Sequence, residues 1–279
     1  MPGVTFTIDV EDHRPGPHAE LRFPRVTHQV VDWLAGQGIR GTFFVVGEES
    51  RRHPGLIRAI ADGGHELALH GDRHVPVGSL TPEELAADVR RGIDGLQQLG
   101  GVAVTGFRAP QFSLVAGCEW VADVLAEAGC TYSSSVLPTA SPLFGYPGAP
   151  TTPFRWPSGL VEFPATLLPM GPVSVPLGGV YFRLLPGALT QRLVGRAAGH
   201  GSVPWLYLHP YDFDPDERMY VVRDAAAIAS PLQWVNRRRV EARVAQLLGR
   251  FPAAPLGERL DEVGDVRFGG TSPARHESG

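Results

Sequence analysis

GTFFVVG, residues 41–47, is a short apolar run with a glycine at each end. It reads as a strand buried on both faces, the habit of strands in parallel sheets. The chain on either side repeats the theme. Upstream, VTFTIDV (4–10) is β-rich, alternates weakly and looks like a buried first strand. Between the two, RVTHQVVDWLAGQG (25–38) sets Val26, Val30, Val31 and Leu34 at helical spacing, and Gly36 and Gly38 close it. Downstream, Pro54 opens a helix that ends at Gly63 and Gly64, and HELALH (65–70) follows as a third strand.

The alternation continues. Thr81, Pro82 and Glu84 form a helix start, with Thr81 as N-cap, Pro82 at the first helical position and Glu84 three after the cap. That helix runs to about Gly100. TGFRAP (105–110) is a short strand entering a loop. GCEWVADVLAEAG (117–129) is a helix with Trp120, Val121, Val124 and Leu125 on one face, and Tyr132 to Val136 is the next strand. Strand followed by helix, repeated, predicts an α/β fold with a parallel sheet or barrel. Residues 138–179 are rich in Pro and Gly and read as long loops with short strands such as LVEFPAT (160–166). A helix over 186–201, a strand over 203–209 and a basic amphipathic helix over 234–250 complete the pattern. One domain over 1–262 is expected, with a polar, disordered tail over 263–279.

Composition narrows the function. Lys and Arg number 25 and Asp and Glu 29, a net charge of −4. Nucleic acid and anionic membranes call for a basic surface, so neither is expected as the main partner. No 18-residue apolar window predicts a membrane span, and MPGVTFTIDVED lacks the pattern of a secretion signal. With two cysteines, Cys118 and Cys130, a cytoplasmic protein with reduced thiols is expected. The basic helix either packs on the barrel or makes a homo-oligomer contact.

Four stretches carry candidate chemistry. IDVED (8–12) puts Asp9, Glu11 and Asp12 at the end of the first strand, where they serve either a cation, a proton transfer or only a solvated turn. HGDRH (70–74) offers His70 and His74, which face the same way if the backbone makes one helical turn. Two imidazoles and a carboxylate make an open site for zinc or another divalent metal. The zinc-protease motif is excluded, since Gly71 stands where it needs Glu. GFRAPQFS (106–113) supplies Arg108, a fork-shaped partner for a carboxylate or an ordinary ion pair. YLHPYDFDP (207–215) supplies His209, whose titration range suits a general acid. His65 fits none of these and reads as structural. Each stretch alone has a bland reading. Together they all end predicted strands, and in a parallel barrel those ends share the face where active sites form.

In their order, TIDVED, HGDRH, FRAP and LYLHP resemble the motifs of the polysaccharide deacetylase family, the NodB-homology domain of carbohydrate esterase family four. GTFFVVG, GHELALH, TYSSSVLP, EFP, GGVYFRLLP and HPYDFDP add to the likeness, which covers about residues 4–215. The DVED start is similar to a subgroup near the peptidoglycan-deacetylase-like and allantoinase-like branch. The resemblance implies a distorted (β/α) barrel of fewer than eight regular units. It implies a metal-dependent hydrolase that removes an N-acetyl group from an amino sugar in a polysaccharide, glycolipid or small glycoside. Carried over, Asp9 is the general base, Arg108 orients it, His209 is the general acid, and His70 and His74 hold a divalent metal, expected to be Zn2+.

The third ligand is Glu11 or Asp12. Strand alternation puts Glu11 on the side of Asp9; a shorter carboxylate in a tight site favours Asp12. A backbone N–H of Tyr132 or Ser133 is expected to meet the oxyanion, and Tyr181 and Arg183 to line the sugar site. Relatives often carry Asp where Ser133 stands, and Asp212 or Asp214 are candidate replacements. The alternatives are a hydrolase of a non-sugar C–N bond, as in allantoinase-like relatives, and an inactive carbohydrate-binding protein.

Overall fold

The computed structural model describes residues 3–14, 16, 18–141, 144–171, 173–220 and 230–269. In chain order, β1 (Thr5–Val10) leads through α1 (Phe23–Gln37) to β2 (Gly41–Val45), then α2 (Gly47–Arg52), α3 (Pro54–Asp62) and β3 (Glu66–Leu69). α4 (Pro82–Gly100), β4 (Gly106–Phe107), α5 (Trp120–Glu127) and β5 (Tyr132–Ser133) follow. Next come four short strands, β6 (Phe154–Arg155), β7 (Val161–Glu162), β8 (Leu167–Met170) and β9 (Val173–Pro176). The chain finishes with α6 (Gly179–Leu184), α7 (Gly187–Gly199), β10 (Trp205–Leu208) and α8 (Val240–Arg250).

Eight strands form one curled half-barrel in the order β10-β1-β2-β3-β4-β5-β7-β6. All neighbours are parallel except the β6–β7 hairpin, and β8 and β9 form a separate antiparallel pair. This bears out the expected α/β fold, a distorted (β/α) barrel of fewer than eight regular units, here open as a half-barrel. The late strand β10 lies beside β1, with Thr7 opposite Tyr207 and Ile8 opposite Leu208. That pairing brings His209 next to the residues that follow β1.

The period-two alternation of the strands divides two cores. Phe6, Ile8 and Val10, with Phe43 and Val45, pack outward with α1, α3 and α4 in the larger apolar layer. Phe44, Ala68, Tyr132, Phe163 and Trp205 face inward in a smaller one. α4 begins as its sequence specifies: Thr81 Oγ1 accepts from the Glu84 N–H at 3.2 Å, and Glu84 Oε2 accepts from the Thr81 N–H at 2.9 Å. α8 buries Val240, Val244, Leu247 and Leu248 against the body of the same chain, so its apolar face is already covered.

Three local features depart from the sequence reading. The second strand stops at Val45, and Gly47 starts α2. The N–H groups of Gly47 and Glu48 donate to the carbonyls of Gly71 and Asp72, tying α2 to the HGDRH loop. A Cβ at Gly47 would lie 2.2 Å from Asp72 Oδ1, so only glycine permits this approach. Second, residues 264–269 do not trail away. The Arg155 N–H donates to the Val266 carbonyl, and the Phe268 ring packs edge-on against Tyr146, Phe154 and Trp156. The rest of the expected tail, residues 270–279, lies outside the described residues. Third, no helical turn joins His70 to His74. Gly71 (φ 71°) and His74 (φ 52°) both adopt the left-handed conformation, and this double bend brings the imidazoles to a centroid separation of 5.1 Å.

Candidate active site

All four motif stretches do end strands on one face of the sheet. Asp9 is the inward-facing residue near the end of β1; Glu11, His70, Arg108 and His209 each follow a strand directly. Asp9, Glu11, His70, Arg108 and His209 are all buried.

Arg108 orients Asp9. Its Nη1 donates to Asp9 Oδ1 at 2.6 Å and to Thr7 Oγ1 at 3.0 Å, while Nε and Nη2 are taken by the carbonyl and hydroxyl of Ser134. The guanidinium lies between the rings of Phe44 (3.8 Å) and Trp205 (4.2 Å), which shield it from water and favour its charge. Asp9 is thus left with one engaged oxygen and one, Oδ2, directed at His70 Nε2 3.5 Å away.

Glu11, His70 and His74 form a group whose candidate ligand atoms all lie within 4.8 Å of one another. His70 Nδ1 sits 2.9 Å from the Arg108 carbonyl oxygen. A carbonyl only accepts, so Nδ1 carries the hydrogen and Nε2 presents a lone pair to the group. Burial keeps the His70 imidazole neutral by pushing its pKa down. His74 Nε2 touches Glu11 Oε2 yet is buried without a hydrogen bond of proper direction. Two nitrogens and a carboxylate oxygen converging in this way fit a divalent cation better than they fit one another. Burial alone would raise the Glu11 carboxyl, but His13, His209 and His74 outweigh it and hold it well below the usual carboxylate range.

Asp12, favoured from its shorter side chain, lies outside this group. Both its oxygens are engaged by Arg14, whose Nε donates at 2.8 and 3.0 Å and whose Nη2 lies 2.7 Å away. With Asp12 held by Arg14, the carboxylate that meets the two histidines is Glu11, on the side of Asp9.

HGDRH holds its shape through its central residues. Buried Asp72 pairs with Arg51 (2.6 Å) and Arg91 (3.3 Å), and the Asp72 N–H and Arg73 Nε both donate to Asp88 of α4. No motif singles out Asp72, yet it anchors the loop that carries both histidines.

His209 stacks on Tyr211 at 4.8 Å, with the edges of Tyr207 and His13 around it. Its backbone N–H donates to Asp212 Oδ2 at 2.9 Å, and its Nδ1 is 3.8 Å from the same oxygen. Burial works against the imidazolium, but Asp212 and Glu11 overcome it and push the pKa up to about 9. Behind Asp212 stands Arg183, its Nε 3.1 Å from Oδ1. Arg183 is fully buried and also donates to main-chain carbonyls of Gln233 and Val235. It is therefore not a sugar-facing residue but the third member of a His209–Asp212–Arg183 row. Tyr181, its neighbour on α6, is exposed. Of the two candidate replacements near His209, Asp214 is occupied by Arg22 (2.6 and 2.8 Å).

Tyr132 and Ser133 do not offer side chains to a substrate. Both are fully buried, with Tyr132 Oη donating to Glu66 at 2.9 Å and Ser133 Oγ to Ser135 Oγ at 2.7 Å. Opposite Ser133 across the ladder is Glu162, a buried carboxylate that accepts from the N–H groups of Ser135 (2.6 Å) and Val136 (2.9 Å). Ser135 Oγ in turn accepts from the Ala109 N–H, so Glu162 braces the Arg108 loop from the neighbouring strand. His13 is a further residue that motif reading passed over, and the only signal for it was its place two after Glu11.

Residues 4–132 match the family model described as polysaccharide deacetylase, and residues 134–260 match a domain of unknown function (DUF3473). Chitin deacetylase 1 of Cryptococcus neoformans var. grubii is 30% identical over 99 residues, 36% of this chain and 19% of that protein. A peptidoglycan-N-acetylglucosamine deacetylase of Bacillus cereus is 26% identical over 107 residues, 38% of this chain and 35% of that protein. The matches thus span about a fifth and a third of these curated relatives. A crystal structure from Mycobacterium smegmatis assigned to the polysaccharide deacetylases superposes with a TM-score of 0.62 at 21% identity, covering 97% of this chain and 94% of the other. At that identity the likeness is one of fold.

Proposed function

Because residues 4–132 belong to the polysaccharide deacetylase family, we propose that this chain is a metal-dependent hydrolase that releases acetate from an N-acetylated amino sugar. The observation that carries the reading is one oxygen of a buried carboxylate, Asp9 Oδ2, left free beside Glu11, His70 and His74 while Arg108 engages the other. The names of the curated relatives point to polymers of N-acetylglucosamine, and glycolipids and small glycosides carry the same acetamide. Residues from both matched stretches supply the site, so we treat them as one catalytic domain.

Glu11 Oε2, His70 Nε2 and His74 Nε2 would hold the cation, most simply Zn2+ given this nitrogen and oxygen set. When bound there, a divalent cation polarises the amide carbonyl and lowers the pKa of a water molecule. Asp9 accepts the proton of the attacking water at Oδ2. Arg108 holds the other oxygen of Asp9 and fixes its orientation with a rigid, planar guanidinium. His209 stays protonated through neutral pH and donates to the departing amine, which is too poor a leaving group to go as an anion. Asp212 and Arg183 are positioning residues that hold the imidazolium and balance its charge.

The test is acetate release from N-acetylglucosamine oligomers, an N-acetylated glycolipid and a non-sugar amide, with and without chelator. Purified chain is expected to carry metal that His70→Ala loses, together with its activity. A chelated, metal-free sample that hydrolyses as fast as the untreated protein would overturn the reading.

A further inference from the structure

Glu11 faces a second pair of imidazoles. While its Oε2 touches His74, its Oε1 lies 2.9 Å from His13 Nε2 and 3.4 Å from His209 Nε2. The candidate ligand atoms of Glu11, His13 and His209 all lie within 4.8 Å of one another, a second group that shares only Glu11 with the first. The His13 ring is held edge-on to His209 (4.8 Å) and Tyr211 (4.7 Å), which fixes its direction. Its Nε2 is buried, points at Glu11 and makes no hydrogen bond of proper direction. A carboxylate with one oxygen toward each of two histidine pairs is the arrangement that bridges two cations, which sit ~3.5–4 Å apart in two-metal sites.

We propose that Glu11, His13 and His209 form a second divalent-cation site, and that filling it withdraws His209 from the leaving group. The functional consequence rests on the role of His209 given above; the site itself does not. Its affinity is lower than that of the Glu11–His70–His74 group. Two cations on one carboxylate repel each other, and the His13 side chain is 33% exposed. Zinc in excess is therefore an inhibitor of an enzyme that needs its first equivalent.

The experiment is a zinc titration of the metal-stripped full chain, reading bound zinc per chain by calorimetry and elemental analysis, and acetate release from N-acetylglucosamine oligomers in parallel. Two equivalents are expected, the second binding at least tenfold more weakly, with the rate rising across the first and falling across the second. His13→Gln and His13→Asn, checked for folding by circular dichroism, are expected to bind one equivalent, and each to keep its own one-equivalent rate as zinc rises. Wild-type protein that saturates at one equivalent, or folded His13 variants that still bind two, would overturn the site. Two equivalents that depend on His13, with no acetate released at any zinc concentration, would support the site and remove the deacetylase reading instead.

Discussion

β1 has two faces that are buried to the same degree and built on opposite terms. Outward, Phe6, Ile8 and Val10 join an apolar layer under the helices. Inward, Thr5, Thr7 and Asp9 are just as inaccessible and entirely polar. Thr5 donates to the Ala254 carbonyl and accepts from Arg259, Thr7 donates to the Leu206 carbonyl and accepts from Arg108, and Asp9 accepts from Arg108. The outer face needs volume and apolarity, which several side chains can supply. The inner face needs partners in fixed directions, because an unpaired buried polar group costs about 1–3 kcal/mol. Stability and chemistry are thereby assigned to alternate residues of one strand, and single substitutions should separate them.

The sharpest separation is Asp9→Asn. It keeps the shape and a hydrogen bond to Arg108 but removes the proposed base, so acetate release should fall by about 10²–10⁴. The melting temperature should fall as well, since buried Arg108 loses the carboxylate it pairs with, but the rate loss is expected per folded molecule; a loss that merely tracks the loss of folded protein would join the two faces again. Phe6→Ala is the reverse experiment. Urea denaturation should show a loss of about 3–5 kcal/mol, with the rate per folded molecule unchanged. Thr7→Val tests the inner face through Arg108 and leaves Asp9 in place: Nη1 keeps Asp9 but loses its second acceptor, and about 1–3 kcal/mol of stability should go.

The last effect is absent at neutral pH and concerns a titratable group under the outer face. His65 packs on Phe43 and its Nδ1 accepts from the Gly41 N–H. Burial, helped by Arg40, pushes its pKa down to about 4. In the unfolded chain it titrates near ~6.5. Above that pH both states are neutral and nothing is gained or lost. As pH falls through 6.5 only the unfolded chain takes up the proton, and stability declines by about 1.4 kcal/mol per pH unit until the folded group titrates. His65→Asn keeps an acceptor for Gly41 and should flatten melting temperature against pH between 6.5 and 4. An unchanged slope would assign the acid sensitivity to another group.

The same contrast explains what could be read in the sequence. Burial leaves a periodic trace, so the strands around GTFFVVG, the face of α1 and the Thr81–Glu84 cap were legible from spacing alone. So was the convergence of Asp9, His70, Arg108 and His209, because parallel strands align their ends. Directional pairing leaves no such trace. The choice of Glu11 over Asp12 turned on Arg14, which takes both Asp12 oxygens. Arg183 lies 29 positions before Asp212 in the chain (212 − 183), and nothing in GGVYFR announces that the two meet. Glu162 stands beside Ser133 only because β7 joins the sheet next to β5. The left-handed turn at His74 replaced an expected helical one, since a bend anchored by Asp72 and Asp88 has no sequence period at all.

The seating of β10 against β1 also orders events during synthesis. The first strand leaves the ribosome long before the partner that completes its edge and delivers His209. At ~5–20 residues per second, the roughly 200 residues between them take about 10–40 s to make. Through that interval the polar inner face of β1 waits beside an open edge, and Arg259, which donates to Thr5, arrives later still. The nascent chain can lay down its outer apolar layer as it emerges, but the site must wait for residues made long after β1.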